Sequence, residues 1–215
     1  MIIAITNLKG GSGKSTISIH LAVALVQRGK KVCILDTDLE QRSSMKWSGD
    51  REEDYPHVSV FGVEVQQLVK ETKKLRNDYD VIIIDGAPKI EQHAEIIMIV
   101  CDLLLVPLKP SILDYRSTEE FILSYRKVKT LKEMKGLSIE AKVVITDADV
   151  RTLAYREIKE VVEQLQEGLF FTIPHYVAYQ DAIKEGLGVT EYDKGKANEV
   201  FSEFADKITA VVEPV

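Results

Sequence analysis

Much is scarce in this 215-residue chain, and each scarcity closes off a class of protein. It has two cysteines, Cys33 and Cys101, and no CxxC pair, so a disulfide scaffold and a thiolate metal cluster are both excluded. Each cysteine lies in an apolar run, VCILD and IMIVCDLLLV, and is expected to be a buried reduced thiol. Basic residues are not in excess. There are 28 Lys and Arg against 34 Asp and Glu, a net charge of -6, so any contact with nucleic acid must come from a local patch. The longest apolar stretch, Ile96 to Leu108, is broken by Asp102 and Pro107 and is too short to span a bilayer. The chain opens on MIIAIT, which reads as a strand and not as a signal peptide, so a cytoplasmic protein is expected. Glycine and proline are few, 12 and 6, and fall at the ends of periodic segments. With no repeat, low-complexity tract or linker, residues 1–215 are expected to form a single domain.

What is present is an alternation of short apolar runs with amphipathic segments. Strands are predicted at 2–6, 31–36, 58–62, 79–85, 103–107, 141–146 and 169–173. Their β-branched cores hold few polar residues, as in strands covered on both faces. Helices are predicted at 15–28, 64–77, 91–100, 117–131, 151–167 and 178–185, with a final one from about 196 to 212. The expected fold is α/β, a mostly parallel twisted sheet of about seven strands with helices on both faces.

The first of these units carries chemistry. Ile2 to Thr16 runs as apolar strand, glycine-rich loop and helix start: IIAIT, then NLKGGSG, then KST. Gly10, Gly11 and Gly13 allow successive backbone N–H groups, with that of Ser12, to point into one concavity that binds phosphate oxygens. The helix beginning near Ser15 adds its positive end. Lys14 is placed to reach the β- and γ-phosphates, Ser15 to ligate magnesium and Thr16 to meet the α-phosphate. ATP and Mg2+ are therefore the expected cofactors. The general pattern GxxxxGK[ST] asks for glycine at position 8, where this chain has Leu8, followed by a second lysine, Lys9.

Acids end two of the predicted strands. Asp36 and Asp38 follow VCIL, and Asp85 follows YDVIII. In open parallel sheets ligands sit at the carboxyl ends of strands, so these carboxylates can meet magnesium or an attacking water.

KGGSGKST at the N-terminus resembles the deviant Walker A motif of the ParA/MinD family of P-loop ATPases, and the Asp85-Gly86-Ala87 variant after the fourth predicted strand resembles the small plasmid-type ParA partition ATPases. The resemblance implies that Lys9 reaches across a homodimer that sandwiches ATP, toward the phosphates held by the partner subunit. The segment Asp36-Thr37-Asp38-Leu39-Glu40-Gln41 is similar to the family's DxDPQ, with Leu39-Glu40 in place of Pro-Gln. It implies that Asp38 orients the hydrolytic water and that Asp36 lies near magnesium and Ser15. Asp85 matches the Walker B aspartate, which acts on magnesium, and residues 86 to 92 match a segment that senses the γ-phosphate. Lys9, Lys14 and Asp38 are the catalytic candidates.

Val106 to Asp114 resembles VPxxPSxLD, a stretch found at the family's dimer face, and the chain from Tyr179 to Tyr192 is similar to dAxxxGxxVxxY. Pro174, after Ile173, matches a residue beside the adenine, and Thr146 and Asp147 are further candidates for ATP. Where many DNA-partitioning members have arginine after Ile-Pro, this chain has His175. The remaining basic candidates for DNA are Arg151, Arg156, Lys184, Lys194 and Lys196. The function implied is a partition ATPase with slow intrinsic turnover: ATP closes the dimer, the dimer binds non-specific DNA, and a small centromere-binding adaptor protein triggers hydrolysis. A MinD-like regulator and a dethiobiotin-synthetase-like enzyme are the alternatives. The acids of the final helix speak against a membrane-bound form.

Overall fold

The computed structural model describes residues 1–87 and 91–212. Seven strands make one sheet: β1 (Ile2–Ile5), β2 (Val32–Asp36), β3 (Ser59–Gly62), β4 (Val81–Asp85), β5 (Leu103–Leu108), β6 (Glu140–Ala148) and β7 (Leu169–Pro174). Their order is β3-β2-β4-β1-β5-β6-β7 and every pair is parallel. The α/β fold expected from the sequence is thus the one observed.

Side-chain alternation divides the strands between two cores. Ile3 and Ile5 of β1 enter one face, Ile2 and Ala4 the other. On the first face lie α1 (Lys14–Gln27), α7 (Val177–Lys184), α8 (Val189–Tyr192) and α9 (Lys196–Val212). The other face is covered by α3 (Leu68–Leu75), α4 (Glu91–Val100), α5 (Ile112–Glu133) and α6 (Leu153–Glu163). Phe201, Phe204, Ala205 and Ile208 of α9 are all buried against the sheet. The two cysteines are buried and free, and burial pushes both thiols up to about 12.

Element boundaries differ from the sequence reading in places with physical causes. The helix predicted at 64–77 opens as a 3-10 turn, Val65–Gln67, before α3 begins. The helix predicted from 117 starts at Ile112, where Asp114 in the first turn favours the helix's positive end. Two helices were not predicted, α8 and α2 (Ser43–Asp50). In α2 only Ser44 and Trp47 are buried, too few to make an apolar stripe.

β1 is central, with β4 on one side and β5 on the other. The chain runs from β1 out to β2 and β3, returns to β4, and then crosses to β5 on the other side of β1, so a crevice opens at the carboxyl end of β1, where the phosphate loop lies.

Candidate nucleotide-binding site

The loop after β1 is held in shape by its own polar groups. Lys14 Nζ donates to the Lys9 carbonyl at 2.8 Å, and Ser12 Oγ donates to the same oxygen at 3.2 Å. Gly11 and Gly13 have φ of 73° and 92°, a left-handed backbone that other residues rarely adopt. Gly13 caps α1 without a side-chain hydrogen bond, which leaves the helix's first N–H groups for a ligand. The end of β6 closes the far wall, with Thr146 Oγ1 donating to Ser12 O at 2.9 Å. The result is a cavity of about 470 Å³, the size of a nucleotide site, lined by Gly10 to Ile17 with Asp38, Thr146, Asp147 and Pro174. Nearly every ATP candidate read from the sequence therefore lines one cavity. Lys9 is the exception.

Burial lowers the pKa of Lys14, while Asp85 and Asp38 nearby raise it. Asp85 ends β4 only 2% exposed, and Gly86 after it packs so tightly on Thr6 that a Cβ would lie 2.3 Å from its hydroxyl. Burial pushes the Asp85 carboxyl up to about 7, and Asp36 adds to the rise. The hydrogen bond from Ser44, the nearby Ser15 hydroxyl and the charge of Lys14 oppose it. Ser44 Oγ donates to Asp85 Oδ2 at 2.7 Å, whereas Oδ1 is buried with no hydrogen-bond partner among the described residues. A buried carboxylate oxygen left over beside the Ser15 hydroxyl fits a hydrated divalent cation. Among the described residues no cluster of three or more His, Cys, Asp or Glu is ready to hold a metal alone. Such a cation therefore needs the oxygens of a bound phosphate as well.

Asp36 is differently occupied. Its Oδ1 accepts the N–H of Asp38, and its Oδ2 accepts those of Ser44 and Met45. It is fully buried and caps the start of α2. Asp38 stands next to it at the cavity wall, half-buried, where its Oδ1 accepts from Gln41 N at 3.0 Å. Residues 88–90 of the expected γ-phosphate sensor lie outside the described residues.

The opposite rim carries a cluster of which the sequence named Asp147 and His175 separately, but neither Lys109 nor the pairing. Asp147, at a left-handed φ of 55°, bonds Lys109 Nζ at 2.8 Å and His175 Nδ1. Burial pushes the Asp147 carboxyl up, but these two partners outweigh it and hold it below its ordinary value. Lys109 and His175 line the cavity, as do Gln41, Ser43 and Tyr176. The lysine and the histidine end different strands, and only the strand order brings them together.

Lys9 does not line the cavity of its own chain. Its Nζ lies 3.2 Å from Asp114 Oδ1, and its side chain is 45% exposed. The basic candidates for DNA fall into two groups on opposite faces of the sheet. Arg151 and Arg156 flank the start of α6; Lys184, Lys194 and Lys196 lie with α7 to α9. Arg151 is gripped by both oxygens of Asp149, and Lys184 pairs with Asp181. Among the described residues no helix is long and apolar enough to cross a membrane.

Comparison with known proteins gives a consistent result. Residues 3–207 match the family model described as the CobQ/CobB/MinD/ParA nucleotide binding domain. The chain is 30% identical over 194 residues to maintenance of carboxysome distribution protein A of Halothiobacillus neapolitanus, covering 87% of this chain and 85% of that protein. It is 25% identical over 251 residues to the sporulation initiation inhibitor protein Soj of Bacillus subtilis, covering 97% and 98%. Its fold is similar to that of the septum site-determining protein MinD of Pyrococcus horikoshii, solved in complex with Mg-ADP. The TM-score is 0.72 and the identity 21%, over 100% of this chain and 99% of that one.

Proposed function

The chain belongs to the CobQ/CobB/MinD/ParA nucleotide-binding family, and from that premise we propose that it is a partition-type ATPase whose homodimer closes on two ATP molecules, binds non-specific DNA, and releases it when a cargo-bound adaptor stimulates hydrolysis. One observation carries this reading. The cavity is complete from Gly10 onward, yet the extra ammonium of Lys9 stands outside it, half-exposed at the rim. A cation left out of its own phosphate site is suited to a neighbour's.

In this reading the N–H groups from Gly10 to Thr16 cradle the phosphates and Lys14 neutralises them. Ser15 and Asp85 hold magnesium, with Asp36 shaping the loop beside them. The ion supplies positive charge and fixed orientation at the β- and γ-phosphates. Asp38 positions water for in-line attack. Among the described residues no base stronger than Asp38 itself stands beside it, and the second lysine is absent until a partner arrives, so intrinsic turnover is slow. Thr146, Asp147 and Pro174 border the base. The apolar face of α9 is spent on the core, which favours partition over a MinD-like membrane cycle.

A second reading changes only the cargo. The 30% identity to a carboxysome-distribution protein favours a protein-built cargo carried over DNA by the same cycle.

The test is the ATPase rate with and without non-specific DNA and adaptor, for native protein, Lys9→Ala and Asp38→Ala. Expected are ATP-dependent dimerisation and DNA binding, a trapped dimer for Asp38→Ala, and loss of regulated hydrolysis for Lys9→Ala. DNA binding that ignores nucleotide, or fast hydrolysis by the protein alone, overturns the reading.

A further inference from the structure

The ion pair between Lys9 and Asp114 has two unequal halves. The Asp114 side chain is 15% exposed and the Lys9 side chain 45%, so the carboxylate sits in the protein and the ammonium at its rim. The backbone on both sides is pinned. Asn7 Nδ2 donates to Pro107 O and to Thr118 Oγ1, both at 2.9 Å, and Thr118 Oγ1 donates to Asp114 O at 2.9 Å. Thr118 is fully buried, so the stem of the phosphate loop and the first turns of α5 form one unit. The Lys9 carbonyl is itself held by Lys14 and Ser12. What remains free is the Lys9 side chain, a four-carbon stem with a compact charge. It rests back on Asp114.

We propose that Asp114 is a positioning residue: it is the counter-ion that parks Lys9 in the single protomer, and closure of the dimer exchanges it for the phosphates held by a second copy of the chain. The inference rests on the dimer reading above. Two features make the exchange easy. Asp114 lies in the first turn of α5, whose N-cap Ser111 makes no side-chain cap, so the helix's positive end steadies the carboxylate once Lys9 leaves. Beside it Ile112 and Leu113 are 60% and 65% exposed, an apolar edge that a second copy would cover at the place where Lys9 is released. Parking then sets a threshold. Each protomer gives up an ion pair on closing, and the gain from a neighbour's nucleotide must exceed that loss, so nucleotide-free protein stays apart.

The experiment uses the full chain with Asp114→Asn. First, acetylation of Lys9 by an amine-reactive reagent is followed by mass spectrometry without nucleotide, and is expected to rise several-fold in the variant. Second, dimerisation with a non-hydrolysable ATP analogue is measured by sedimentation. An exposed ion pair contributes enough to hold back each protomer about 3-fold, so the two exchanges predict a dimer roughly 10-fold tighter in Asp114→Asn. In a Lys9→Ala background the same substitution should change nothing. Asp114→Glu, which keeps the charge, should behave as native. If Asp114→Asn lowers the thermal midpoint, Asp114→Ser is used instead. Unchanged Lys9 reactivity, or a change in dimer affinity that persists without Lys9, overturns the inference. If native protein fails to dimerise with the analogue, the dimer reading fails, while Lys9 reactivity still reports the pairing.

Discussion

His20 illustrates how a single residue's surroundings set its chemistry. It lies in α1, fully buried, with Nε2 3.0 Å from Tyr179 O and Nδ1 accepting from Val189 N at 3.1 Å. Those bonds require the neutral ring, protonated on Nε2. Burial lowers its pKa to about 4, against a small rise from the Tyr179 carbonyl. The unfolded chain therefore takes up the proton first as pH falls. The stability His20 contributes is fully present above about 6.5 and is lost progressively as pH drops through about 4, amounting to roughly 3 kcal/mol in all. Urea unfolding at pH 7 and pH 4.5 should show this loss, and His20→Gln should reduce the difference while lowering stability at both. Asp38 belongs to the opposite category, a residue whose removal costs the fold little. It is half-buried at the cavity wall and its side chain accepts one backbone N–H, that of Gln41. Asp38→Ala should bind ATP as native protein does and lose about 100-fold or more in phosphate release. Equal loss of binding would place Asp38 in ground-state affinity instead.

At the scale of elements, α2 is the instructive case. Its start is fixed by Asp36 and by the Ser44 bond to Asp85. Past its end Arg51 forms a two-pronged bond with Glu191, both side chains about 5% exposed or less, and stacks over Trp47 and Tyr55. Trp47 Nε1 also donates to Leu187 O. The helix is thus a strut from Asp36 and Asp85 to the α7–α8 turn. Removing one charge of a buried pair strands the other, so Glu191→Ala should lower unfolding stability by about 3 kcal/mol, and the apolar double variant Arg51→Met with Glu191→Leu should recover most of it. Denaturant midpoints decide. No local signal in SSMKWSGD announces this strut, because what stabilises it comes from Asp36, Asp85, Leu187 and Glu191, far apart in sequence. The phosphate loop was legible for the opposite reason: strand, glycines, lysine and helix start lie within fifteen residues and need no partner to be recognised. The strands were legible because burial on both faces demands unbroken apolar runs. The pairing of Lys109 and His175 with Asp147, and of Lys9 with Asp114, depended on strand order and stayed hidden.

For the whole molecule, charge poses the sharpest constraint on the DNA binding proposed above. Each protomer carries a net charge of -6, and a dimer that encloses two nucleotides is more acidic still. Its long-range field opposes a polyanion, so attraction must come from short-range contacts at a basic patch. One protomer is poorly equipped for that: Arg151 and Lys184 are engaged by Asp149 and Asp181, and the two basic groups lie on opposite faces of the sheet. Pairing two copies doubles the available cations and can align one group from each. Binding should therefore require the ATP dimer, and it should be steeply sensitive to salt. With about three phosphates neutralised, affinity should fall about 40-fold between 50 and 200 mM salt. Fluorescence anisotropy with a random duplex, titrated with and without a non-hydrolysable ATP analogue, measures both dependences. Lys194→Glu with Lys196→Glu tests the α7–α9 group, and Arg151→Glu with Arg156→Glu the α6 group. The group that meets DNA should abolish binding and leave sedimentation of the dimer unchanged. If neither pair matters, or if the single protomer binds as tightly as the dimer, the contact lies elsewhere and nucleotide does not control it.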